Sequence, residues 1–211
     1  MPTIPYSQRK SALNAYTRNF VDALNTLDDN MYSGKITLGM WEEDIRTRIR
    51  MYLYGSALIG AGNPPGGLTK SEKGWIGSEL KKQYRWLHGF AQDIYARKDS
   101  ISLEAIRARS HLYSKAGSKV ANRMMTPVDL LEQLPWIPGD GTTRCLNMCG
   151  CEWILEEVSR NEDNGTKVIR AIWTLHPEKE HCEDCEPRQG RSVLAIVPID
   201  TEIPPFIGLG G

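Results

Sequence analysis

The sequence predicts an α+β protein, an N-terminal helical bundle followed by a small β-hairpin module stapled through its cysteines. Three observations lead there. Apolar residues recur every three or four positions up to about residue 125, and every second position beyond Pro135. All five cysteines, at 145, 149, 151, 182 and 185, lie in the later part. The charge divides as well: residues 1–125 carry 19 Lys and Arg against 11 Asp and Glu, and the remainder 7 against 15, so a net charge of zero conceals halves of +8 and −8. These shifts divide the chain into a helical bundle over 1–130, a cysteine-rich hairpin module over 140–197 and an extended C-terminal tail over 198–211.

A chain of 211 residues with 40% apolar and 25% charged residues is long enough for one domain or two small ones, and its proportions exclude a disordered, collagen-like or coiled-coil protein. It has no run of about 18 uninterrupted apolar residues, the length a membrane-crossing helix needs. The opening Met1-Pro-Thr-Ile-Pro-Tyr-Ser-Gln-Arg-Lys10 lacks the apolar core of a secretory signal, which makes a reducing compartment the expectation.

Four helices follow from spacing. Leu13, Tyr16, Phe20, Leu24 and Leu27 form one stripe over 7–27, and Trp41, Ile45, Ile49 and Leu53 another over 38–58. The Gly60-Ala-Gly62-Asn-Pro-Pro-Gly-Gly67 stretch ends the second helix. It lacks the strand, the third glycine and the Gly-Lys-Ser/Thr that a phosphate-binding loop requires. Thr69 and Glu72 have the spacing of a capping box ahead of Trp75, Ile76, Leu80, Tyr84, Leu87, Phe90, Ala91 and Ile94. A fourth helix over 102–124 points Leu103, Ile106, Leu112, Tyr113, Ala116 and Val120 inward.

Residues 151–158 and 168–175 alternate as strands around Asn164-Gly165. A two-residue turn would place Trp153 opposite His176. A three-residue Asp163-Asn164-Gly165 loop pairs Trp153 with Leu175 and Leu155 with Trp173, and it is the register preferred here, with Gly165 left-handed. Residues 193–197 supply a possible third strand to this sheet.

The hairpin brings its two ends together, so that Cys182 and Cys185 approach the stretch holding Cys145, Cys149 and Cys151. Cys145-x-x-x-Cys149-x-Cys151 followed by Cys182-x-x-Cys185 has the form of a divided tetrahedral Zn2+ site. Disulfides compete poorly, with no export signal and an odd cysteine count; a redox Cys-x-x-Cys would accompany a βαβ pattern. Cys182 and Cys185 are the safest ligands, joined by two of Cys145, Cys149 and Cys151. The first two are preferred, leaving Cys151 beside Trp153, and His181 and His176 are further candidates. Four protein ligands make such a site structural. His176-Pro-Glu178 and Cys182-x-x-Cys185 share pieces with zinc deaminases but not their layout, since only three residues separate Glu178 from Cys182. No Gly-x-Ser-x-Gly elbow occurs, and Glu156-Glu157 reads as an exposed strand edge.

Arg46, Arg50, Arg107, Arg109, Lys115 and Lys119 are the candidate contacts for nucleic acid or another anionic partner, against the alternative of solvated helix faces. Trp41 opening a helix, Gln83-Tyr-Arg-Trp-Leu87 with Phe90-Ala91, and Ala108-Arg109 with Tyr113 precede Pro138-Gly-Asp-Gly-Thr142, the cysteine cluster with Trp153, Trp173, and His181-Cys-x-x-Cys185. In that order, over about residues 28–197, the chain resembles the minor head or head-morphogenesis proteins of tailed bacteriophages. The resemblance implies a minor capsid protein of the virion, made in the host cytoplasm, with capsid or portal proteins and packaged DNA as partners. It implies no enzyme, no small-molecule substrate and no membrane. The rival expectation is a zinc-ribbon nucleic-acid-binding protein acting outside the virion.

Overall fold

The periodicity becomes four long helices, α1 (Tyr6–Tyr32), α2 (Leu38–Gly60), α3 (Lys70–Ala96) and α4 (Leu103–Met125). The structure is a computed structural model that describes residues 3–97, 100–138, 151–177, 181–204 and 206–208. A short helix, α5 (Val128–Leu131), leads to four strands, β1 (Glu152–Asn161), β2 (Thr166–Thr174), β3 (Ser192–Pro198) and β4 (Phe206–Gly208). The protein is therefore α+β, and it divides into two units, Met1–Ala121 and Asn122–Gly211.

Local chemistry sets the helix starts. The Thr37 hydroxyl accepts from the Met40 N–H at 3.2 Å, and Thr69 and Glu72 complete a capping box, with Thr69 N–H donating to Glu72 Oε2 at 2.6 Å. The apolar stripes then meet. Leu24, Trp41, Ile45, Ile49, Leu53, Ile76, Leu87, Phe90 and Val120 are wholly buried, each contributing about 1.5–3 kcal/mol relative to exposure. Leu112 departs from expectation and is half exposed. The inward line of α4 runs Ile106, Ser110, Tyr113, Gly117, Val120, and residue 112 falls on the opposite side of that turn sequence.

Close helix approach rests on glycines. A Cβ on Gly60 would lie 2.3 Å from the Ala121 carbonyl oxygen, and one on Gly117 would meet the Tyr52 ring at 2.2 Å. Tyr52 OH donates to the Ser114 carbonyl at 3.0 Å across the same seam. Beyond Gly60 the chain turns through Gly62, at φ +75°, and the Arg9 guanidinium donates to the Gly60 carbonyl at 3.1 Å. The glycine-rich stretch is a capped helix end.

Asp28 is fully buried at the meeting of α1, α2 and α4. Its Oδ1 accepts from Trp41 Nε1 at 2.8 Å and Ser110 Oγ at 3.1 Å, while Oδ2 has no hydrogen-bond partner. Desolvation raises its pKa, opposed by those two hydrogen bonds and by the charges of His111 and Arg107.

In the second unit the strands form one antiparallel sheet in the order β3-β2-β1-β4. Trp153 pairs with Trp173 and Leu155 with Ala171, two residues away from the expected Trp153–Leu175 register. Two features account for the difference. The loop takes four residues, between Asn161 and Thr166, and the ladder shifts by one residue between Glu157 and Ser159. Gly165 is left-handed as expected, at φ +61°. Because the offset is even, the same side chains still face inward: Trp153, Leu155, Ile169, Ala171 and Trp173 are buried together with Leu130, Leu134, Ala195, Val197 and Ile207.

The expected third strand pairs with β2, and the tail contributes β4, whose Ile207 lies opposite Trp153. The outer edge of β3 is partly closed by a side chain. Gln133 Nε2 donates to the Ile196 carbonyl at 2.7 Å and its Oε1 accepts from the Ile196 N–H at 2.8 Å, as a neighbouring strand would.

Two predictions follow from the helical unit. Gly60→Ala should lower stability by about 1–3 kcal/mol through overpacking. Gly89→Ala, where a Cβ meets nothing within 4 Å, should raise it by about 0.5–1 kcal/mol; urea midpoints distinguish the two. Asp28 stabilises fully below its unfolded pKa, and that contribution is lost as pH rises through its elevated folded value. Asp28→Asn should therefore flatten the fall in stability with rising pH across the acid range, whereas Asp28→Ala, which deprives Trp41 and Ser110 of their acceptor, should cost about 1–3 kcal/mol. Thermal melts at a series of pH values test both.

Candidate metal centre and basic surface

The hairpin register positions the cysteines. Glu152 pairs with Thr174, so Cys151, just before β1, comes to the end of the sheet from which β2 departs. The departing chain is tied back onto that end. Leu175 N–H donates to Gln189 Oε1 at 2.7 Å, Gly190 N–H to the Trp173 carbonyl at 2.9 Å, and Trp173 N–H to the Arg191 carbonyl at 2.9 Å. Within this closed loop the Cys182 carbonyl accepts from Cys185 N–H at 2.9 Å and from Glu186 N–H at 3.2 Å. That turn leads into a 3-10 helix over Glu186–Arg188.

Three tryptophans pack together in the core of this unit. The Trp153 and Trp173 rings meet edge to face at 5.1 Å, Trp136 stacks parallel to Trp153 at 6.1 Å, and Trp153 Nε1 donates to the Trp136 carbonyl at 2.8 Å. The Arg188 guanidinium covers Trp136 at 4.6 Å from the ring centre. Cys151 and Cys185 are buried in the same core, and Cys182, half-buried, packs against it.

His181 meets Cys151 from the loop. Its Nδ1 lies 3.8 Å from Cys151 Sγ, and its Nε2 lies 2.7 Å from the His176 carbonyl oxygen. A carbonyl only accepts, so Nε2 carries a proton, and the tautomer protonated there alone would present an Nδ1 lone pair to the sulfur. Cys151 is only 1% exposed and His181 is half-buried. No disulfide joins Cys151, Cys182 and Cys185 to one another. Among the described residues, no group of three or more His, Cys, Asp or Glu converges closely enough to hold a metal ion. Cys145, Cys149 and Glu178 lie outside the described residues.

The candidate contact cations are largely engaged with carboxylates. Arg46 pairs with Glu42 at 3.3 Å and lies over the Tyr84 ring at 4.7 Å. Arg107 meets Asp29 at 2.5 Å, and Arg109 meets Asp93 at 2.5 Å while covering Phe90. Lys119 reaches the buried Glu79 at 3.6 Å, with its own side chain 10% exposed. Arg50 and Lys115 are exposed. Three of the six thus pair across helices, and Arg46 pairs along its own helix while covering Tyr84 of the next, although exposed ion pairs are individually worth only about 0–1 kcal/mol. Glu157 is likewise a pairing residue: its hydrogen bond with Arg160, at 3.0 Å, holds its carboxyl below the usual range.

Spacing alone did not reveal Asp28, whose partners lie 13 and 82 residues away, and it ranked His181 behind the cysteines. The only sequence signal for His181 is its place directly before Cys182 in the loop after β2.

If only Arg50 and Lys115 reach phosphates, the slope of log affinity for duplex DNA against log salt should be roughly −2, at about 0.9 per phosphate. Filter binding across a salt series measures it, and a slope steeper than about −5 would mean that further cations bind phosphate as well. No protein-family model, curated protein or solved structure matches this chain.

Proposed function

We propose that this chain is a non-catalytic assembly protein of a tailed-phage head, a minor capsid component whose C-terminal unit is stapled by one structural Zn2+. The observation that carries the metal reading is the return of the 181–185 loop to Cys151 at one end of the sheet, with Cys185 and Cys151 buried. Cys145 and Cys149 immediately precede Cys151 in sequence and supply further thiolates. A sphere closed by four protein ligands leaves no position for a reactive water, so the ion organises structure. The order of tryptophan, glycine and cysteine motifs along the chain supports the head-assembly role, with capsid or portal protein as the partner. The engagement of Arg46, Arg107, Arg109 and Lys119 with carboxylates favours a protein partner over direct DNA binding.

Chelation should unfold the sheet unit while α1 to α4 persist, because zinc binding of about 10–16 kcal/mol in small modules rivals the stability of a whole domain. Near-ultraviolet dichroism should then lose the ordered-tryptophan signal of Trp136, Trp153 and Trp173 while most far-ultraviolet helicity remains. An unchanged tryptophan signal after complete chelation contradicts the staple. For the assembly role, the full chain should associate with capsid or portal protein with little loss between low and moderate salt. Binding to DNA alone that collapses as salt rises would favour the zinc-ribbon alternative.

A further inference from the structure

We infer that the metal sphere contains one imidazole nitrogen and three sulfurs, with His181 Nδ1 and Cys151 Sγ as two of its ligands; this rests on the zinc reading above. The two atoms stand 3.8 Å apart. A tetrahedral ion with Zn–S near 2.3 Å and Zn–N near 2.05 Å sets a nitrogen–sulfur edge of about 3.6 Å. The observed separation therefore fits two corners of one sphere.

The surroundings of His181 point the same way. Metal-bound histidines commonly donate their second ring N–H to a carbonyl or carboxylate, which fixes the tautomer and aims the lone pair. Here the His176 carbonyl performs that task on Nε2 at 2.7 Å. Both residues belong to the loop that Gln189 and Gly190 tie to β2, so the ring is oriented by backbone fixed to the sheet. Cys151 is fixed from the other side, because its neighbour Glu152 is paired to both Thr174 and Gly208. One half of the sphere is thus arranged by the two central strands. Two further thiolates are required to complete it, since among the described residues no third ligand stands with this pair; Cys151 takes a ligand's place instead of a bystander's beside Trp153. A thiol donating to an imidazole without metal gives a similar spacing, and the experiment separates the two.

X-ray absorption at the zinc edge of the full chain, purified without chelator and loaded with one equivalent of Zn2+, should show three sulfurs and one nitrogen. His181→Ala should weaken zinc binding in chelator competition by roughly 10–100-fold or more. His181→Cys should keep one zinc with four sulfurs, which guards against misreading a folding failure. Four sulfurs in the parent chain, or full affinity in His181→Ala alongside loss in Cys182→Ser and Cys185→Ser, overturns the histidine assignment alone. A parent chain that takes up no zinc overturns the underlying reading as well.

Discussion

Everything in the C-terminal unit depends on the pairing of Trp153 with Trp173. That cross-strand contact sets the register of β1 and β2, and the register decides which residues share the end of the sheet. With the two indoles edge to face at 5.1 Å and a third stacked beside them, a shift of two residues would separate large buried rings. The pairing therefore places Cys151 and the start of the 175–190 loop at the same end. From there the loop's bonds to Trp173 and Leu175 bring His181, Cys182 and Cys185 back toward the core. A small sheet of four strands with one buried face has limited apolar surface, and a structural metal is one of several supplements that small domains use.

The helical unit achieves its stability differently. Its core is aromatic-rich, its closest approaches run over glycines, and its buried carboxylates have partners. Asp28 accepts from a tryptophan and a serine, and Glu79 meets two lysines, Lys82 at 2.8 Å and Lys119 at 3.6 Å. Such interior carboxylates stabilise less than apolar packing of equal volume would. They do fix which faces of α1, α3 and α4 meet. The excess positive charge of this half is accordingly drawn in part into helix-to-helix pairs.

The helices were legible in the sequence because every stripe obeys one period, and Thr69 with Glu72 marks the start of α3. Leu112 misled because an apolar residue beside a true stripe position looks the same in one dimension. The strands and their inward faces were legible from alternation, but the register was not: the shift beside Val158 and the four-residue loop leave no mark on a period of two. The fourth strand escaped because Pro204 and its neighbours read as an extended tail, although Ile207 packs opposite Trp153. Cysteine spacing suggested a shared site, and the fold places Cys151 and Cys185 in one core with Cys182 packed against it, without a metal-holding group of three among the described residues. The pairing of His181 with Cys151 required the fold, since it depends on where the loop after β2 turns back.

Native mass spectrometry of the full chain, purified without chelator, tests the central claim most directly. The account predicts an ion heavier than the apoprotein by one zinc, less the protons displaced from its thiols, and the metal-free mass after acid denaturation. A folded population carrying only the apoprotein mass would contradict it.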